Sequence, residues 1–249
     1  MFNAEIKTAS VILGLNRHIV GLRFIDFKKE FIDLNVPAAP HSGNFCLHIR
    51  NSMDGRHYKC KAEEVACDYA RYALGLSRCN SQIREGRSYY YCGLYESRVV
   101  AKDIMRAMQY IEHDIYGIEV GPLQDMDTAD IVIIADYAET IMHIMQGYAY
   151  KYGSPKNLCF YGNQAMCSDL VAKPYASNDI NVSLMCNGTR RCGRFDKGEI
   201  AVAFPINMFC NIVDGVVKTA NAIYSLCEKQ RITSKLEHDG NCQLILDPN

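Results

Sequence analysis

No basic excess, no tryptophan, no long apolar run and no close cysteine pair mark this 249-residue chain. Each absence excludes something. The net charge is −1 and the pI about 6.6, so the positive footprint of a nucleic-acid binder is missing. No block of like charges offers a polybasic membrane patch. The most apolar stretch, Ile131 to Ala135, falls far short of the ~20 residues needed to span a bilayer. The start, Met1-Phe2-Asn3-Ala4-Glu5-Ile6-Lys7, has no basic end followed by an apolar run, as an export signal requires. The expectation is a cytoplasmic protein with neither nucleic acid nor membrane as partner.

Common chemical signatures are absent too. There is no Gly-x-Gly-x-x-Gly, P-loop, Gly-x-Ser-x-Gly or His-Glu-x-x-His. Without a Cys-x-x-Cys, zinc ribbons, thioredoxin-like sites and ferredoxin-type clusters lack local support. No internal repeat, low-complexity segment or Pro/Gly/Ser-rich linker divides the chain. One domain over 1–230 with a polar tail over 231–249 follows.

Hydrophobic residues make up 49% of the chain, enough for one sizeable core. Twelve cysteines are the unusual feature. Reducing compartments disfavour disulfides, which leaves buried thiols, metal or cluster ligands, and redox thiols.

Periodicity predicts helices over 3–16, Phe45 to Met53, 62–76 and 96–111. A further helix has Ile141, Ile144, Met145 and Tyr148 on one face, and another runs from Phe209 to Tyr224. Strands are expected at His18 to Ile25, Ile115 to Leu123, Asp130 to Ala135, Leu158 to Tyr161, Asn181 to Cys186 and Ile200 to Phe204. Ser81 to Tyr95 reads as a long loop. Asp136, with Glu139 behind it, has the pattern of a helix cap. The class is α/β (α+β), a mixed sheet flanked by helices.

Four thiols stand at the ends of elements. Cys46 and Cys67 begin helices, Cys167 lies at a loop-to-helix start, and Cys186 ends a strand before Asn187-Gly188-Thr189-Arg190. A helix N-terminus lowers a thiol pKa, and backbone N–H groups near Gly188 with the Arg190 cation can stabilise an anion. Asp169 and Arg190 are candidates to line a ligand pocket, or to serve as a cap and a surface residue. His48, His57, His113 and His143 share no ligand spacing, and His143 reads as structural. The Tyr89-Tyr90-Tyr91 run can stack on a flat ligand or pack on the core.

These segments resemble the uncharacterised archaeal and bacterial family named domain of unknown function 169. The resemblance rests on Val20-Gly21-Leu22-Arg23-Phe24, Phe45-Cys46 and Glu64-Val65-Ala66-Cys67 running on to Arg71-Tyr72-Ala73-Leu74-Gly75-Leu76. It continues through Gly93-Leu94-Tyr95, Gly121-Pro122-Leu123 and the strand ending at Asp136. Most specific are Gln164-Ala165-Met166-Cys167-Ser168-Asp169 with Pro174, and Asn181-Val182-Ser183-Leu184-Met185-Cys186-Asn187-Gly188-Thr189-Arg190. Coverage runs from about residue 10 to residue 220. The family name implies no activity, but the resemblance sorts the thiols. Cys46, Cys67, Cys167 and Cys186 fall where the family pattern has cysteine. Cys60, Cys79, Cys92, Cys159, Cys192, Cys210, Cys227 and Cys242 are particular to this chain. The chain departs from the pattern at Asp68 and Tyr69, where smaller residues are expected, and at Met185, where glycine is expected.

Four such thiols suggest one site holding a cubane 4Fe–4S cluster, whose ligands need not be adjacent in sequence. Zinc in the same tetrahedron and simple packing of the thiols are the alternatives. Three function classes follow: an iron–sulfur protein with a redox partner protein, a cluster- or thiol-dependent enzyme for a small anionic ligand, and a cofactor-binding module without catalysis. Cys46, Cys67, Cys167 and Cys186 are the expected metal ligands. Asp169, Gly188 and Arg190 are the expected ligand contacts, and a homo-oligomer is compatible with all three.

Overall fold

A computed structural model describes residues 2–78 and 81–237. The N-terminal half holds helix α1 (Asn3–Leu13), strand β1 (Val20–Ile25), α2 (Lys28–Asp33), α3 (Phe45–Met53), β2 (Tyr58–Cys60), α4 (Asp68–Ala73), α5 (Ser81–Arg84), α6 (Arg87–Tyr91) and α7 (Arg98–Ala107). Then come β3 (Gly117–Pro122), β4 (Ile131–Tyr137), α8 (Ala138–Tyr152), a π-helix (Ala165–Ala172), α9 (Lys173–Ser177), β5 (Asn181–Ser183), α10 (Asn187–Cys192), β6 (Glu199–Pro205), α11 (Phe209–Ile223) and α12 (Leu226–Glu237).

The six strands form one sheet in the order β2-β3-β1-β4-β6-β5. A sheet with flanking helices is the class the alternation of elements predicts. Its composition differs in one respect: every strand pairing is antiparallel, where a mixed sheet is expected. The reason lies in β1, which pairs with both β3 and β4 rather than with a strand returned by a helical crossover.

Alternation along the strands splits the interior into two apolar layers. On β4, Ile131, Ile133 and Ala135 enter one layer, and Val132 and Ile134 the other. On β6, Ala201 and Ala203 face the first layer and Val202 and Phe204 the second. That two-sided burial explains the unbroken apolar run of β4. The second layer is closed by α1, α8, α11 and α12. There α8 and α11 cross closely, because a Cβ on Gly215 would stand 2.0 Å from the Gly147 carbonyl oxygen. The first layer is closed by α3, α4 and the π-helix, and it carries the site.

Four local expectations change. Residues 81–95 are not one loop but contain α5 and α6. Leu158 to Tyr161 forms no strand. Asp136 belongs to β4, and its carboxylate accepts the N–H of Tyr137 at 2.7 Å instead of capping α8. The first part of the stretch expected as a polar tail, 231–237, belongs to α12, which buries Ile232 and Leu236 against the second layer, and its remainder lies outside the described residues. Cys79 and Cys242 lie outside the described residues.

Candidate functional site

The first turn of α3 follows Asn44, whose extended backbone hands the chain into the helix. Phe45 is driven fully into the core, and Cys46, the next residue, is left half-buried at the helix start. Its Sγ lies 3.7 Å from the Gly188 carbonyl oxygen. Cys67 is the N-cap residue of α4. Cys167 is the third residue of the π-helix, all eight of whose residues are buried. Gln164 precedes that helix with a left-handed backbone, φ +47.

Cys186 is the N-cap of α10. Its Sγ accepts the Thr189 N–H at 3.4 Å and stands 3.2 Å from Thr189 Oγ1. The turn into this cap puts Met185 at φ +66, a conformation open to glycine without cost. Met185 buries its side chain in the first layer instead.

These segments line one half-open cavity of about 200 Å³. Cys46, Cys67, Cys167 and Cys186 all line it, and so does Cys192, the last residue of α10. The rest of the wall is largely apolar, with Phe45, Tyr69, Tyr89, Leu94 and Met166. Gly162, Asn163 and Gln164 complete one side. All ten described cysteines are free thiols.

Burial governs the electrostatics. Cys46 is pushed up to about 12 by burial first, then by the nearby Cys192, Cys186 and Cys67. Cys167, fully enclosed, is pushed well above the ordinary thiol value by burial and then by Cys67, Cys186, Cys46 and Asp169. The helix-start argument for a lowered thiol pKa therefore loses to desolvation at Cys46 and Cys167. Burial also pushes up the Tyr89 hydroxyl, with Cys167, Tyr69, Cys67 and Cys186 adding to it. The thiols sense one another but do not close on a point. Among the described residues, no three His, Cys, Asp or Glu side chains are drawn together as ligands of a single metal ion.

The sequence pattern of DUF169, described as an uncharacterised ArCR family, matches residues 10–215. The chain belongs to the DUF169 family. A relative, the uncharacterized protein MJ0308 of Methanocaldococcus jannaschii, is 28% identical over 213 residues, covering 84% of this chain and 91% of the relative. No solved structure matches the chain. No helix among the described residues is long and apolar enough to cross a membrane.

In this DUF169 protein the other expected contacts fall in different places. Gly188 lines the cavity. Arg190 does not; its guanidinium donates to the carbonyl oxygens of Leu184 (2.9 Å), Glu199 (3.1 Å) and Asp196. That tethers α10 to β6 and leaves little of the cation for an anion. Asp169 lies beneath the cavity wall, buried, where its Oδ2 accepts the Ser183 hydroxyl at 2.8 Å. Burial pushes its carboxyl up to about 7 against that hydrogen bond. None of the four histidines lines the cavity. His48 bonds the Glu64 carbonyl at 2.8 Å and Tyr58 Oη at 3.2 Å, while His57 pairs with Glu119, His113 with Asp26 and His143 with Gln146.

Three cavity residues escape a reading of the sequence by family pattern. Cys192 is set aside by it, yet its place six residues after Cys186, at the end of the same short helix, was the available signal. Gln164 opens a quoted segment and Asn163 stands just before it, but nothing in their identity announces burial.

Proposed function

We propose that Cys46, Cys67, Cys167 and Cys186 hold a 4Fe–4S cluster and that the protein works in one-electron chemistry with a redox partner protein. The supporting observation is that four thiols from four separate segments, spread from residue 46 to residue 186, line one cavity. Four thiolates are the donor set such a cluster takes. The largely apolar wall and the Thr189 N–H on the Cys186 sulfur are what tune a thiolate-bound cluster, through solvent exclusion and hydrogen bonds to sulfur.

The raised pKa values fit this reading. At Cys46 and Cys167 burial and neighbouring thiols disfavour the anion, and a cationic metal group would offset both costs. Zinc takes the same four thiolate donors, at about 2.3 Å from each sulfur, so metal analysis separates the two groups.

When bound, the cluster supplies a one-electron couple. The chain contributes the four ligands, the donor at Thr189 and the exclusion of water by Phe45, Met166 and Tyr89. The test is anaerobic purification with iron, acid-labile sulfide and zinc analysis. About four irons and four sulfides per chain are expected, with a visible band bleached by dithionite. Protein that stays colourless and iron-free after reconstitution with iron and sulfide ends the cluster reading, and stoichiometric zinc replaces it.

A further inference from the structure

Two amides in the cavity wall are left over by the thiol site. Asn163 is 4% exposed and Gln164 6% exposed, and both line the cavity. Gln164 Nε2 donates to the Met105 sulfur at 3.3 Å, while its Oε1 is buried without a partner. A thioether sulfur only accepts, so this amide must turn its N–H group there and keep its oxygen free. Asn163 bonds the Tyr95 hydroxyl through Nδ2, and its Oδ1 is likewise buried and unpaired. The Tyr95 hydroxyl can give or take a hydrogen bond, so either end of the Asn163 amide can be the free one. Buried polar groups in a folded protein are paired in the large majority, and two adjacent exceptions on one cavity wall call for a partner.

The remaining wall narrows what that partner is. Among the described residues no Asp, Glu, Lys, Arg or His lines the cavity, so a charged molecule would find no counter-charge in that wall. Tyr69 and Tyr89 stand with ring centroids 4.6 Å apart at 31°, beside Phe45 and Leu94, which gives flat apolar surfaces. A free acceptor on Gln164 next to a donor or acceptor on Asn163 complements a neighbouring N–H and C=O on one edge of a ring.

We propose that Asn163 and Gln164 anchor a second ligand in this cavity, a flat uncharged heterocycle presenting a lactam or imide edge. The ring N–H donates to Gln164 Oε1, and the ring carbonyl accepts from the Asn163 amide. The ring itself lies against the tyrosine wall. This goes beyond the metal reading and does not depend on it, since no thiol takes part in the recognition.

The experiment is calorimetric titration of the full chain, as purified and metal-free, with uracil as the imide probe and 1,3-dimethyluracil as the same ring without its N–H groups. Iron is measured on every sample. Uracil is expected to bind, and dimethyluracil to bind about tenfold more weakly or worse. Gln164→Leu, which keeps the volume and removes the amide, is expected to weaken uracil about tenfold without changing the iron content. Asn163→Leu serves the same purpose if Gln164→Leu does not fold. Absence of uracil binding by the wild type, equal affinity for the two rings, or undiminished binding by the folded variant overturns the proposal. Uracil binding by protein that takes up no iron on reconstitution leaves this proposal standing, and the failed reconstitution counts only against the cluster. Iron without uracil binding does the reverse.

Discussion

The Cys186 sulfur accepts the backbone N–H of Thr189 at 3.4 Å, so this cysteine is both the cap of α10 and a wall of the cavity. The two roles separate under mutation. Serine is among the best N-cap residues and a poor substitute for thiolate on iron. Cys186→Ser is therefore expected to keep the circular dichroism spectrum and melting temperature of the metal-free chain while losing or converting the cluster spectrum. Cys192→Ser should retain iron and spectrum, because a cubane needs four thiolates and the other four line the cavity. Full iron retention in Cys186→Ser would remove that residue from the ligand set.

The contact between Gly147 and Gly215 sets the spacing of α8 and α11. A Cβ on Gly215 meets carbonyl backbone at 2.0 Å, which no rotamer change can relieve. Gly215→Ala is expected to lower stability by about 1–3 kcal/mol, read as a lower urea midpoint at unchanged slope. A wild-type midpoint would mean that the two helices slide apart freely.

Asp130 gives a pH dependence with a definite sign. Burial raises its carboxyl above the usual range, and the hydrogen bond from the Phe24 N–H at 2.6 Å only partly offsets this. The unfolded chain thus loses this proton at lower pH than the folded one. Stability from this group is fully present below the unfolded value near ~3.9 and is lost as pH rises through the folded value. Asp130→Asn keeps an oxygen for Phe24 and abolishes the titration. Its melting temperature should gain on the wild type as pH rises from about 4 and then run parallel. A constant difference across that range would refute the assignment.

Gln164→Leu also carries a stability prediction. The unpaired Oε1 is desolvated with no hydrogen bond in return. Its replacement by an apolar group of similar shape is expected to raise the ligand-free melting temperature by about 2 °C or more. Added uracil should narrow the gap by stabilising only the wild type.

The main elements were legible because their patterns are local. Ile131 to Ala135 reads as a two-sided strand, and Phe209 to Ile223 as an amphipathic helix, from their own side chains. Residues 81–95 misled because Gly86 and Gly93, both at positive φ, break the segment into helices too short to show a period. Strand direction was not legible at all, since it depends on where β1 inserts between β3 and β4. At the site, residue type alone offered twelve thiols, and the family resemblance picked out the four that, with Cys192, line the cavity. The opposite holds for Arg190, whose residue type suggests an anion site while its position commits it to three carbonyl oxygens. Asn163 and Gln164 were hidden, because an amide gives no hint in sequence of whether it will be left unpaired.

The four thiols are spread along the order of synthesis: Cys46 leaves the ribosome long before Cys186, and no fragment that stops short of residue 186 holds more than three of them. If the proposed cluster is bound, its full donor set exists only once most of the chain has been made, and nascent chains stalled before residue 186 should emerge without a four-iron complement.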